Sequence, residues 1–337
     1  MRTVVLDSSN INDDSVWDNY VKKYFNSEPM ALPSYLGLFC KIGEKPMALL
    51  FEDDHGKVLY PFIYRKIFDT EYYDVISGYG YGGPYIHGIV NKDDWQYIWE
   101  QSKVWFERNN VITEVIKFSL FNNYYYSGTK EVVMKNVVCS LKSTMEEIFS
   151  SFDRKVRKNV KRANYYGLKV IIEDNMSHIE EFKKIYYETM NRREADEMFY
   201  FNNEFFDAIE NKLNGQYKLF YVIYNEKVIS TELVLTSKDT IYSYLGGTDR
   251  EYFYMRPNDL LKTEIIRWGK LNGHSCFILG GGHGSEDGIF SYKKSFAPNG
   301  LYDFYVGTRV INRKVYMELC ERYSKNPYDN FVPAYRG

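Results

Sequence analysis

The sequence predicts a mixed α/β fold, and three observations lead to this prediction. The chain has 337 residues, enough for one large or two medium domains, since domains cluster near about 100–150 residues. Hydrophobic residues make up 45% of it and charged residues 26%, a composition typical of proteins that bury a substantial core. Strand-like and helix-like patterns alternate in both halves. A solitary small motif and global disorder are therefore excluded.

The first half begins with a strand at 58–65 (VLYPFIYR), preceded by turn residues at 54–56. The segment 94–108 predicts an amphipathic helix, because residues suited to a buried face recur every three or four positions. That face consists of Trp95, Ile98, Trp99, Ser102, Trp105 and Phe106. A further strand is predicted at 115–120.

The second half repeats this mixture over a longer stretch. Cap-like residues at 143–146 precede one helix, and a strongly basic helix follows at 153–166, where Gly167 ends it. Periodicity then predicts helices at 178–192 and 202–213 and strands at 168–172, 217–224, 228–236 and 240–245.

The segment from 240 to 282 predicts a ligand site. A strand ending in Gly246-Gly247, a helix starting at Pro257 and a strand at 276–279 imply a right-handed crossover between parallel strands. Both glycine-rich ends then lie at the sheet edge where ligands bind in α/β folds. Glycines there allow a close approach or simply form turns, and a helix start offers free amides. The candidate ligand-contacting residues are Tyr244, Gly246, Gly247, Asn258, Gly280, Gly281, Gly282 and His283.

Charge restricts the partners of the protein. The net charge is −2, so no overall positive field indicates a DNA-binding or membrane-surface protein. Locally, however, the nine residues from 154 to 162 contain six cations. This run is either a solvated helix face or a surface that binds the phosphates of a nucleotide or RNA. The candidate phosphate-binding residues are Arg154, Arg157, Lys158 and Lys161.

Cysteine spacing and hydropathy indicate a cytoplasmic protein. The four cysteines are scattered without a CxxC pair, so neither a zinc site nor a disulfide framework is predicted. The start of the chain does not read as a signal peptide, and no apolar run approaches the about 18 residues of a membrane span. We therefore expect no metal site and no transmembrane segment.

Common nucleotide-binding motifs are missing. The glycines of 78–83 (GYGYGG) fit GxGxxG, but Pro84 and extended chain follow instead of a helix, which excludes a dinucleotide site. The GxxxxGK[ST] phosphate loop and the [QR]xxGx[GA] run of ordinary acetyl-CoA-dependent acetyltransferases are also absent.

Three titratable residues are candidates for catalysis. Lys293, preceded by Tyr292, follows the second glycine-rich strand end, where a cation would stabilise an oxyanion or hold a phosphate. On its own, such a lysine also reads as a surface residue. Glu232 interrupts an apolar strand, either as a general base or as a solvent-facing residue. Of the five histidines, His283 lies in the candidate site.

These motifs together resemble the FemABX peptidyltransferases and the wider FemAB-like branch of the GNAT acyltransferase superfamily. The resemblance covers about Val58 to Gly300, with first-domain matches at 59–65 and 77–85. The second-domain matches are 151–170, YYETMNRR, YFNNEFF, YLGG, RPNDLL, LGGG and DGIFSYKKSFAPNG.

This resemblance implies two tandem GNAT-like domains, each with a mixed central sheet flanked by helices and splayed at its centre. The expected domains are 1–139 and a catalytic domain at 140–309. The segment 310–337, with a helix at about 310–323, is expected to pack back on the first domain.

The resemblance also implies amide formation by direct attack of a primary amine on an activated acyl donor, without a permanently bound cofactor. The leading expectation is transfer from aminoacyl-tRNA to an amine of a bacterial peptidoglycan precursor. One alternative is an acyl-CoA-dependent enzyme acting on an amino sugar or polysaccharide precursor. Another is a non-catalytic protein that binds phosphate-bearing cell-wall precursors.

Residue roles follow from the same resemblance. Tyr292-Lys293 matches the family's aromatic–lysine pair, whose lysine stabilises negative charge. Arg192 or Arg193 corresponds to an arginine that binds acceptor phosphates, and Lys41 to a substrate lysine of the first domain. The tyrosine expected one turn after that arginine is missing, since Glu197 lies four residues after Arg193. This departure leaves the peptidoglycan acceptor open.

Overall fold

The protein is described from a computed structural model, which covers residues 1–121, 124–282, 287–329 and 332–337. The chain forms two compact units. Unit 1 consists of Met1–Val133 and Asp303–Gly337, and unit 2 of Met134–Tyr302. Both divisions fall a few residues before the expected ones at 139 and 309.

The strands and helices have the following bounds. The strands are β1 (Arg2–Asp7), β2 (Lys45–Glu52), β3 (Gly56–Lys66), β4 (Tyr73–Ile76), β5 (Tyr85–Gly88), β6 (Val111–Lys117), β7 (Thr129–Ser140), β8 (Lys169–Glu173), β9 (Tyr217–Tyr224), β10 (Lys227–Thr236), β11 (Thr240–Thr248), β12 (Cys276–Gly280) and β13 (Leu301–Val310). The α-helices are α1 (Ile11–Tyr24), α2 (Pro33–Gly37), α3 (Lys92–Arg108), α4 (Met145–Ser151), α5 (Arg154–Tyr165), α6 (Ile179–Arg193), α7 (Asn203–Lys212), α8 (Pro257–Leu271), α9 (Gly288–Lys294) and α10 (Arg313–Arg322).

Unit 1 contains a sheet in the order β1-β2-β3-β4-β6-β13, with β5 paired to β3. The pair β4–β6 is parallel, and the other pairs are antiparallel. The predicted amphipathic helix is confirmed as α3, which begins with a capping box between Asn91 and Asp94. Its buried residues Trp95, Ile98, Trp99 and Phe106 cover the sheet. The helix α10 packs on Ile67 and Ile112 of the same unit.

A buried polar network lies in the core of unit 1. The carboxylate of Glu114, which has no exposed surface, accepts hydrogen bonds from the hydroxyls of Tyr60 (2.6 Å) and Tyr126 (2.7 Å). The guanidinium of Arg309 donates to both of its oxygens, at 2.9 and 3.1 Å. Arg309 lies on β13, so the network joins β3 and β6 to the C-terminal strand of unit 1.

Unit 2 contains a sheet in the order β7-β12-β11-β10-β9-β8. The pair β11–β12 is parallel, and the other pairs are antiparallel. The predicted crossover from β11 through α8 to β12 is thereby confirmed. Apolar residues of α4, α5, α8 and α9 form one core with the sheet. The mixed α/β fold predicted from the alternating patterns is also confirmed.

Candidate active site

The strands β11 and β12 part at the predicted edge of the unit 2 sheet. They are paired from Thr240 with Cys276 to Tyr242 with Ile278, although β11 continues to Thr248. Both strands contain a bulge where they separate. The register with β10 shifts at Tyr244 of β11, and the register with β7 shifts between Ile278 and Gly280 of β12. Bulges bend a strand and redirect its side chains. The separation begins a few residues earlier than the glycines predict, and it leaves an opening between the strand ends.

Lys293 lies beside this opening. It is on α9, which begins at the N-cap Asp287, whose side chain accepts from the backbone N–H of Phe290 (2.6 Å). The Lys293 ammonium donates to the backbone carbonyl of Gly281 (2.7 Å), just after β12. Loss of solvation on burial, together with the nearby charge of Lys262, lowers the pKa of Lys293 to about 8. A partly desolvated cation therefore lies at the end of the opening.

Tyr292 points its ring into the core of unit 2, against Phe296, with ring centroids 5.3 Å apart. Its hydroxyl is buried, and the side chain of Asn258 on α8 lies beside it. Burial, followed by the negative charges of Asp259 and Glu232, raises the pKa of this hydroxyl well above its usual value. The hydroxyl is therefore neutral at physiological pH.

Glu232 is 2% exposed, so the reading of it as a solvent-facing strand residue is wrong. Both of its carboxylate oxygens accept from the ammonium of Lys262, each at 2.5 Å. Lys262 also donates to the hydroxyl of Ser243 (2.8 Å). Sequence reasoning missed Lys262 and Ser243. The available signal was a lysine in the middle of an otherwise apolar helix stretch, opposite a glutamate in an apolar strand.

The glycines of the site mainly accommodate neighbouring protein atoms. A Cβ on Gly246 would lie 2.7 Å from the carbonyl oxygen of Thr231, and one on Gly247 would lie 2.5 Å from Oγ1 of Thr189 on α6. A Cβ on Gly281 would meet Met134 at 2.7 Å. Close packing of β10, α6 and β7 therefore explains these three positions, without a ligand.

The remaining predicted ligand-contacting residues are Gly280, Gly282, Tyr244, Asn258 and His283. Gly280 has a φ of +82°, so the chain turns there as glycine permits. A Cβ on Gly282 would lie 2.3 Å from the Asp287 carboxylate. Tyr244 is half-buried at the bulge, and Asn258 lies in the first turn of α8. His283 lies outside the described residues.

Arg192 and Arg193 end α6. Arg192 is half-buried, donates to Oγ1 of Thr189 (3.2 Å) and lies 5.0 Å from the ring centroid of Phe253. Since Thr189 also touches Gly247, Arg192 is near the far end of β11. Burial and repulsion from Arg193 and Arg250 lower its pKa. Arg193 is exposed. Arg192 and Arg193 therefore bring positive charge to this end of β11, with the carboxylates of Glu188 and Asp249 also close to Arg192.

The basic helix predicted at 153–166 is confirmed as α5. Arg154, Lys158 and Lys161 are exposed, and no acidic side chain of the described residues is ion-paired with them. Arg157 is half-buried and donates to the carbonyl of Ser150. The start of α5 is close to α9, because the N–H of Asp153 donates to the carbonyl of Ser295 (2.8 Å).

The equivalent parallel pair in unit 1 is closed by its own chain. After β4, Ser77 donates its backbone N–H to the carbonyl of Val115 (3.1 Å), and Gly82 donates to that of Lys117 (2.7 Å). The glycine-rich loop 78–83 therefore covers this strand end, and β5 rather than a helix follows it. Lys41 also lies in unit 1, exposed in the turn before β2.

The described residues contain no metal-binding cluster and no membrane-spanning helix. No group of His, Cys, Asp and Glu side chains within them is arranged to hold a metal ion. Among the same residues, every helix is too short or too polar to cross a membrane.

Comparison with known proteins shows what this fold is similar to. The family described as acetyltransferase (GNAT) domain matches residues 150–294, the segment that contains the opening, Lys293 and α5. No curated protein matches the sequence. Unit 2 therefore contains a segment similar to GNAT acetyltransferase domains, which supports an acyltransferase activity.

The fold as a whole is similar to that of FemX. The crystal structure of FemX aligns with a TM-score of 0.71 and 13% identity, over 94% of this chain and 99% of that one. A conserved protein of unknown function from Bacteroides thetaiotaomicron aligns with a TM-score of 0.55 and 11% identity, over 89% and 97%. The FemABX-like resemblance inferred from the sequence is thus confirmed at the level of the fold.

Proposed function

We propose that the protein transfers an aminoacyl group from aminoacyl-tRNA to a primary amine of a cell-wall precursor. The observation that carries this proposal is the position of Lys293, a desolvated cation held by the Gly281 carbonyl at the end of the strand opening. An ester carbonyl inserted between β11 and β12 would place its oxygen near that ammonium. Charge that develops on the oxygen in the transition state is then stabilised by a group already in place.

The reaction needs no covalent intermediate on the enzyme. The neutral amine attacks the ester carbonyl, a C–N bond forms, and negative charge moves to the carbonyl oxygen beside Lys293. As the C–O bond to the ribose breaks, the proton lost by the amine is transferred to the leaving oxygen. The ester is already activated, so orientation and charge stabilisation supply most of the catalysis. The hydroxyl of Tyr292 is the candidate relay, which would give its proton to the ribose oxygen and take up the proton lost by the amine.

Two features favour tRNA over acyl-CoA as the donor. The link from β11 to α8 is a 3₁₀-helix at Arg250–Met255 rather than a glycine-rich phosphate loop. The first turn of α8 also carries the buried carboxyl group of Asp259, which disfavours a pyrophosphate there. The cations of α5 supply the alternative phosphate surface. Tyr165, 87% exposed at the end of that helix, adds a ring on which a base can stack.

For the acceptor, Arg192 and Arg193 would bind a phosphate-bearing cell-wall precursor. The half-buried Arg192 is the stronger candidate, because desolvation strengthens its attraction for an anion. Since both substrates are products of cytoplasmic metabolism, we place the reaction in the cytoplasm.

The donor is tested by supplying purified protein with radiolabelled aminoacyl-tRNA or acetyl-CoA, each with a UDP-linked muramyl pentapeptide or an amino sugar. We expect an amide product with aminoacyl-tRNA and the muramyl peptide. Product from acetyl-CoA alone would instead support the acyl-CoA-dependent alternative, which the GNAT match favours. Saturable binding of the peptide without product from either donor would indicate a non-catalytic binder.

The pH profile tests the role of Lys293. Because the pKa of Lys293 is lowered to about 8, its positive charge is present below that pH and is lost above it. We expect kcat/KM to rise as the acceptor amine deprotonates and then to fall above about pH 8. In Lys293→Arg the falling limb should disappear, whatever the absolute rate, because a guanidinium stays charged throughout this range. If the falling limb remained in this variant, a group other than Lys293 would be responsible for it.

Neutral substitutions on α5 test the RNA surface. We expect Lys158→Gln/Lys161→Gln to weaken tRNA binding roughly tenfold or more and to reduce the slope of log K against log salt by about two, one for each lost phosphate contact. Binding is measured by fluorescence anisotropy with uncharged tRNA. The control Lys142→Gln/Lys212→Gln removes the same charge from other exposed positions of unit 2. Equal salt slopes in both variants would contradict the assignment.

A further inference from the structure

Unit 2 contains a buried charge cluster directly below the strand opening. The ammonium of Lys262, on α8, uses its three N–H groups to donate to the two oxygens of Glu232 (2.5 Å each) and to Oγ of Ser243 (2.8 Å). Lys262 is 6% exposed and Glu232 is 2% exposed. The same ammonium lies 5.7 Å from the ring centroid of Phe277 on β12.

The cluster spans the bulge of β11. Tyr244 is the bulged residue, and Ser243 immediately precedes it. Gly246, just after the bulge, pairs with Glu232 on β10. By bonding to Ser243 and Glu232 together, Lys262 ties the two sides of the bulge to α8. This contact lies at the level where β11 leaves β12, because Tyr242 is the last residue paired across them.

We propose that Lys262 is a positioning residue for acyl transfer, which fixes the bulge of β11 and thereby the opening in which Lys293 acts. The inference rests on the proposed role of Lys293. Desolvating two charges costs several kcal/mol, and a pair of apolar side chains would fill the same core without that cost. The charged pair adds directional contacts. The three hydrogen bonds of Lys262 fix α8, β10 and β11 relative to one another.

The charges of the cluster also affect the pKa of Lys293. The charged groups around Lys293 are Lys262 on α8, Glu232 on β10 and Asp287 at the start of α9. The positive charge of Lys262 lowers the pKa of Lys293, and the two carboxylates raise it. Removing Lys262 alone therefore has a second effect, since Lys293 then faces an unpaired Glu232 and holds its proton to higher pH.

The first experiment compares Lys262→Met with wild type in the aminoacyl transfer assay. We expect kcat to fall about tenfold or more, with little change in KM, and the falling limb of the pH profile to move to higher pH. The conservative variant Lys262→Arg should retain most of the wild-type kcat. The falling limb of its pH profile should stay at the wild-type pH. The matched control is Lys270→Met on the same helix, where the ammonium bonds only to the Leu141 carbonyl (3.3 Å) among the described residues. A folded Lys262→Met variant with wild-type kcat and pH profile would overturn the proposal.

A double variant separates geometry from charge and remains informative if the single variant does not fold. Glu232→Gln/Lys262→Met removes both charges and leaves no uncompensated ion in the core. We expect it to fold, to return the falling limb close to its wild-type position, and to remain about tenfold slower because the bulge is no longer fixed. Wild-type kcat in this variant would show that the contacts do not position the site.

A measurement without turnover distinguishes failure of this inference from failure of the proposed function. In protein labelled with ¹³C-lysine, the Cε resonance of Lys293 is assigned by its loss in Lys293→Arg and titrated with pH. We expect Lys293 to titrate at higher pH in Lys262→Met than in wild type, whichever acyl donor the enzyme uses. Identical titration in the two proteins would show that Lys262 does not influence the pKa of Lys293 and would contradict the proposal.

Discussion

Lys293→Ala is expected to lower kcat by about 10²–10³-fold, the loss seen when one preorganised donor to an oxyanion is removed. The ammonium is already held 2.7 Å from the Gly281 carbonyl, so it needs little reorganisation to meet charge on the substrate. Because that charge develops only in the transition state, the loss should appear in kcat far more than in KM. Single-turnover kinetics with a charged tRNA measure it directly.

The adjacent Lys294 provides the control for this variant. It lies on the same helix and is half-buried like Lys293, but no described hydrogen bond connects it to the strand ends. Lys294→Ala should keep kcat within about twofold of wild type, since it removes no group from the transition state. Equal losses in both variants would mean that α9 had been perturbed as a whole, and an undiminished rate in Lys293→Ala would exclude its catalytic role.

Arg309→Met should destabilise unit 1 by about 3–5 kcal/mol, because it leaves the carboxylate of Glu114 buried without its cation. The two tyrosine hydroxyls still donate to Glu114, but neither neutralises the charge. Urea unfolding followed by tryptophan fluorescence measures this loss. The signal reports mainly on unit 1, which contains Trp17, Trp95, Trp99 and Trp105, whereas unit 2 contains Trp268.

An exposed ion pair of the same unit is the matched comparison. Arg2 bonds to Glu52 at 2.6 Å, but its side chain is 72% exposed, and exposed pairs contribute at most about 1 kcal/mol. Arg2→Met should therefore shift the urea midpoint only slightly. If Arg309→Met shifted the urea midpoint no more than Arg2→Met, the proposed stabilisation of unit 1 by the buried pair of Arg309 and Glu114 would be contradicted.

The elements that periodicity predicts well are those with uninterrupted patterns. The crossover between 240 and 280 is an example, because a strand, a helix started by Pro257 and a second strand follow one another with clear boundaries. The strand predicted at 115–120 is displaced, since β6 runs from Val111 to Lys117. Glu114 interrupts its apolar pattern, and sequence alone does not show that this glutamate is buried with Arg309.

The candidate site was predictable only in part for the same reason. Lys293 could be found because it follows a glycine-rich strand end and matches a family motif. Lys262 and Ser243 could not, because their meeting with Glu232 depends on the register of β10 and on a bulge at Tyr244. Gly246 and Gly247 indicate a close approach to the backbone. The sequence does not show that β10 and α6 are the elements that approach it.

The closure of the β4–β6 strand end by the loop 78–83 has a consequence for stoichiometry. Although each unit contains one pair of parallel strands, only the pair in unit 2 has parted strand ends among the residues described. One equivalent of charged donor should therefore saturate one polypeptide. Successive additions to the same acceptor would then require the spent nucleic acid to dissociate between rounds.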